Sequence, residues 1–130
     1  RMTAVRQGGV ASLETAILDR WFGASFRRSE EARLWGAMLS RTPAEGYLGC
    51  CAAIAESDLT DETATLRLPT LAIAGCHDGA SPPDLVRATA ALIPGVDMQV
   101  IEGAGHLPCV ETPAAYGDLL NRFLKDHTDD

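Results

Sequence analysis

Nothing in this 130-residue chain approaches the ~20 consecutive apolar residues that cross a bilayer, and no secretory leader pattern is visible, so a membrane partner is not expected. A basic stripe is missing as well. The formal charge is −7, and Arg27-Arg28 is too short a cluster to offset it, which argues against a nucleic-acid partner. Repeats and low-complexity tracts are absent, leaving the composition of an ordinary soluble protein. Cysteine is sparse. The four present suggest no secreted disulfide framework, and reduced thiols in a cytoplasmic protein are the expectation. Strands are scarcer still, since only two segments read convincingly as strands. Two strands with a few helices make a poor independent sheet, with unpaired edges and helix faces lacking a partner, so something else is expected to complete the core.

The first strand is carried by Thr70-Leu71-Ala72-Ile73-Ala74, a short apolar run that suits an interior position with both faces covered. Gly75-Cys76-His77-Asp78-Gly79 ends it with turn chemistry. A helix follows, with Ser81 able to cap it, Pro82 at its first position, Asp84 in its first turn, and Leu85, Ala88 and Leu92 along one face. Pro94-Gly95 stops the helix, and Met98-Gln99-Val100-Ile101 forms the second strand, which breaks at Gly103-Ala104-Gly105 before His106. A right-handed crossover between parallel strands brings both C-terminal ends to one sheet edge, where open α/β sheets carry ligand sites. Asp78 and His106 are thereby predicted to meet.

An aspartate beside a histidine holds the imidazole in one tautomer and stabilises the imidazolium formed when the other ring nitrogen takes a proton from a nucleophile. Gly105 would leave space beside the ring. A plainer reading has Asp78 capping a turn and His106 as a structural histidine. A third makes Cys76-His77 and His106-x-x-Cys109 a Cys₂His₂ zinc site, against which stand the missing C-x₂₋₄-C and H-x₃₋₅-H spacings. Without zinc, Cys76 and Cys109 are expected to pack as small hydrophobes.

The first part of the chain reads as helical and separate. Residues 12–22 place Leu13, Ala16, Ile17 and Trp21 on one stripe, with Ser12 able to cap. Residues 30–40 repeat the pattern with Leu34, Trp35, Met38 and Leu39 behind Ser29. Thr42, Pro43 and Glu45 spell a capping box for a third helix, whose stripe includes Tyr47, Cys51, Ile54 and Ala55. A composition shift between Ser57-Asp58 and Leu68-Pro69 leads back to the sheet. The acidic stretch from Asp126 to Asp130 reads as a solvated, frayed end.

The run Leu68-Pro69-Thr70-Leu71-Ala72-Ile73-Ala74-Gly75-Cys76-His77-Asp78, Pro82-Pro83, and Gly103-Ala104-Gly105-His106-Leu107-Pro108 with Glu111 and Pro113 resembles the C-terminal half of an α/β-hydrolase. Arg20-Trp21-Phe22, Gly46-Tyr47 and Cys50-Cys51-Ala52-Ala53-Ile54 resemble the cap region of 3-oxoadipate enol-lactonases, which act in the β-ketoadipate route of aromatic catabolism. The resemblance implies an α/β fold, with residues 1–60 as a helical cap, or lid, and residues 61–130 as the C-terminal part of the hydrolase core. It implies Asp78 as triad acid, His106 as general base, and no metal or organic cofactor. Arg20 and Trp21 become candidates for binding the carboxylate and ring of a small lactone or ester, beside the alternative of a surface arginine next to a core tryptophan. Such an enzyme needs a G-x-S-x-G elbow upstream of the acid. None is present. Ser12, Ser25, Ser29, Ser40, Ser57 and Ser81 all fall in helical or capping contexts, and the chain reads as the second part of a longer protein whose missing N-terminal half is its partner. Other esterases, dehalogenases and epoxide hydrolases share the same acid and base, and a non-catalytic binding fragment is the alternative of a different class.

Overall fold

The computed structural model describes residues 2–127. Helices α1 (Met2–Gly8), α2 (Glu14–Trp21), α3 (Glu30–Ser40) and α4 (Ala44–Glu56) come first, with 3₁₀ turns at Val10–Leu13 and Phe26–Arg28. They share one apolar cluster of Val5, Val10, Ile17 and Leu39, against which Leu13, Trp21 and Tyr47 pack. Phe22, 2% exposed, is buried with its ring 4.8 Å from that of Phe26. Burying a side chain of that size contributes about 1.5–3 kcal/mol. A short α5 (Thr60–Ala64) follows, unforeseen in the sequence. Asp58 precedes it and accepts from the hydroxyl and the N–H of Thr60, which together hold its carboxyl below the ordinary range.

Strands β1 (Leu71–Gly75) and β2 (Asp97–Ile101) pair in parallel, with α6 (Pro83–Ala90) between them. Each strand lies within one residue of its predicted start. Their core with α6 is made by Ala74, Ala90, Ile93 and Ile101. The chain then forms α7 (Pro108–Glu111) and α8 (Pro113–His127). Both faces of β1 were expected to be covered, yet Leu71, Ala72 and Ile73 are only half-buried. Among the described residues the sheet has two strands, and a groove of about 420 Å³ runs between Leu71 and Ile73 on one side and Tyr116, Leu120 and Phe123 of α8 on the other.

Several local expectations need correction. Ser12 does not cap α2: it lies in a 3₁₀ turn and donates back to Gly9 O at 2.7 Å. Ser29 does cap α3, accepting from Ala32 N at 3.1 Å. That helix, however, turns Ala32, Gly36 and Leu39 inward and leaves Leu34 70% and Met38 47% exposed, because small residues let it approach α2 closely. The capping box at Thr42 does not form. Pro43 occupies the N-cap place and the Thr42 hydroxyl donates to Met38 O. Pro82 likewise takes the N-cap position predicted for Ser81, Leu85 and Ala88 face outward, and Val86 and Ala90 turn toward the sheet. On α4, Tyr47 and Cys51 are half-buried but Ile54 and Ala55 are exposed. Asp126 continues α8 rather than fraying, and residues 128–130 lie outside the described residues.

Candidate active site

Parallel pairing sets Gly75 opposite Ile101, so both strands leave the sheet at the same edge. Their loops lock at once: Cys76 N donates to Ile101 O at 3.0 Å and His77 N to Ala104 O at 2.8 Å. This approach requires a glycine at position 75, since a Cβ there would collide with the carbonyl oxygens of Ala104 and Gly105. The two loops carry Asp78 and His106 into contact, with Oδ2 of the carboxylate 2.8 Å from Nδ1 of the imidazole.

Asp78 is 8% exposed, the one buried charged side chain among the described residues. Its other oxygen, Oδ1, accepts from Ala80 N at 2.7 Å and Ser81 N at 2.8 Å. Both oxygens are therefore committed, which fixes the plane of the carboxylate. An ionised carboxylate only accepts, so Nδ1 carries the proton of the His106 contact and Nε2 presents a lone pair. The turn-capping role and the histidine contact thus belong to the same aspartate.

The end of α2 holds this pair from the other side. Arg20 O accepts from Gly79 N at 3.0 Å and Trp21 O from His106 N at 2.6 Å. The Trp21 and His106 rings lie 28° from parallel with centroids 6.3 Å apart. Gly105 was expected to make room for the imidazole. Its missing Cβ instead makes room for the Trp21 carbonyl and the Glu111 carboxylate. Over the pair opens a cleft of about 420 Å³ whose walls include Arg20, Trp21, Tyr47, Cys51, Ser81 and His106. The Arg20 guanidinium is exposed there, and no hydrogen bond or ion pair occupies it among the described residues. Three of the four candidate residues, Arg20, Trp21 and His106, thus line one cleft, and the buried Asp78 reaches it through its bond to His106.

His77 stays apart, exposed beside the Arg27–Asp19 ion pair. The zinc arrangement does not assemble: no three His, Cys, Asp or Glu side chains gather to hold a metal ion among the described residues. Cys76 Sγ accepts from Gly103 N at 3.1 Å. Cys109, expected to pack as a small hydrophobe, is exposed because the short α7 turns it outward. Sequence reasoning missed the part played by Glu111, whose Oε1 accepts from Gly23 N at 2.8 Å and Oε2 from Gly105 N. An acidic side chain five residues beyond a histidine, in a single turn of helix after a glycine loop, was the available signal. It had no force without knowing that residues 20–23 lie alongside.

No protein-family profile matches the chain. It is 31% identical over 127 residues to 3-oxoadipate enol-lactonase 1 of Acinetobacter baylyi, a match covering 96% of the chain and 47% of that protein. Among solved structures, a thermophilic esterase from Thermogutta terrifontis is similar with a TM-score of 0.87 and 30% identity, over 97% of the chain and 48% of the esterase. The enol-lactonase from Burkholderia xenovorans is similar with a TM-score of 0.85 and 31% identity, over 95% of the chain and 48% of that enzyme. The chain spans about half the length of the relatives it matches.

Proposed function

As the C-terminal half of an α/β-hydrolase fold, this chain, we propose, supplies the acid and the base of an active site that hydrolyses a small carboxylate-bearing lactone, of the kind named for its enol-lactonase relatives. The observation that carries the reading is the Asp78–His106 contact at 2.8 Å, whose imidazole lines a cleft that also holds a free guanidinium. A serine supplied by the complementary N-terminal half would attack the lactone carbonyl as His106 Nε2 takes its proton. Asp78 would stabilise the imidazolium. His106 would then return the proton to the leaving oxygen, opening the ring, and afterwards activate water to release the acyl-enzyme.

Residues 1–60 would act as the cap over this chemistry. Arg20 would hold the substrate carboxylate with two parallel donors, and Trp21 would wall the ring. A second reading, hydrolysis of neutral carboxylic esters, is favoured by the likeness to the Thermogutta esterase. The deciding experiment measures 3-oxoadipate enol-lactone and a neutral ester of similar shape side by side, in the enzyme joining both halves. A preference for the lactone acid that disappears in Arg20→Ala supports the first reading; equal rates on both substrates, unmoved by that change, support the second.

A further inference from the structure

We propose that Glu111 is a positioning residue for His106, an inference that rests on the hydrolase reading above. Its half-buried carboxylate accepts from two backbone N–H groups far apart in the chain: Gly105, next to the base, and Gly23, at the end of the cleft-wall segment. Both positions are shaped for it. A Cβ on Gly23 would come within 3.2 Å of Oε1, and one on Gly105 within 2.7 Å of Oε2. The tie is one of three that mount residues 20–23 on the two loops. Gly79 N–Arg20 O fastens the acid loop, whereas His106 N–Trp21 O and the Glu111 bridge from Gly23 N to Gly105 N fasten the base loop.

Without Glu111 the base loop keeps one direct bond to the cleft wall, and Gly105 and Gly23 are left with orphan donors. His106 then loses its fixed distance from Trp21, and so from whatever the cleft holds. Misplacement of a catalytic group by about 1 Å costs on the order of 100-fold in rate. The carboxylate is needed rather than its shape, because a glutamine offers one acceptor oxygen and turns an NH₂ toward the other donor.

The test is Glu111→Gln in the enzyme containing both halves, assayed on its ester or lactone, with the low-field Nδ1–H proton resonance of His106 followed by NMR. The variant is expected to stay folded, to lose about 10- to 100-fold in kcat with KM changed less than about threefold, and to shift or broaden that resonance. Glu111→Asp, which keeps the charge but is too short to span both donors, should show a similar defect, and it is the variant to read if glutamine prevents folding. A kcat within about twofold of the parent with the resonance unmoved overturns the inference while leaving the hydrolase reading intact. Activity lost only in proportion to folded protein overturns it too. A parent enzyme that hydrolyses neither substrate sinks the hydrolase reading, and this inference with it.

Discussion

Asp78 divides its two oxygens between the backbone and the imidazole, so its replacement by asparagine keeps the shape and removes the fixed acceptor. The amide can turn an NH₂ toward Nδ1 and select the wrong tautomer. In the enzyme containing both halves, Asp78→Asn is expected to lower kcat by about 10³- to 10⁴-fold, measured under saturating substrate. Retention of a tenth of the parent rate would show that the aspartate serves only its turn. Arg20 makes a different kind of contribution. If its guanidinium binds the substrate carboxylate, Arg20→Ala should raise KM for the lactone acid by about 10- to 100-fold and leave that for a neutral ester nearly unchanged, the range expected for a charged hydrogen bond. Equal losses on both substrates would assign Arg20 to packing. His77, turned away beside Arg27 and Asp19, provides the control, and His77→Ala should stay within about twofold of the parent on either substrate.

At the scale of elements, Ser29 is the one side chain predicted as a helix cap that makes the bond, and Ser29→Ala should cost about 1 kcal/mol, read as a lowered denaturation midpoint at unchanged slope. No shift in midpoint would mean that α3 is held by tertiary contacts alone. The strand-helix-strand unit and the meeting of Asp78 with His106 were legible in the sequence, because turn glycines bracket both apolar runs and parallel pairing leaves little freedom at their ends. Helix faces were not. On α3 the inward stripe runs through Ala32 and Gly36, where small size matters more than hydrophobicity, while the larger Leu34 and Met38 point outward. Caps at Thr42 and Ser81 failed for a related reason. A proline follows each and takes the N-cap place itself, leaving the Thr42 hydroxyl to turn back to Met38, while the Ser81 N–H bonds Asp78. Glu111 was invisible in its role because its partner Gly23 lies 88 residues away in the chain.

On the scale of the whole molecule, the two-stranded sheet leaves the outer edge of β1 without a strand among the described residues and an apolar groove open beside α8. Such an edge invites pairing. The 130-residue chain by itself is expected to associate with rising concentration in sedimentation velocity and to hydrolyse no ester, since neither a nucleophile elbow nor an oxyanion-binding loop is recognisable in it. A monomeric chain with His106-dependent esterase activity would contradict that. The most direct test of the acid–base assignment is the rate of 3-oxoadipate enol-lactone hydrolysis by the enzyme containing both halves, compared between the parent and His106→Ala at equal folded concentration. A fall of about 10³-fold or more is the expected result. A variant within about tenfold of an active parent would contradict the assignment of His106 as the base.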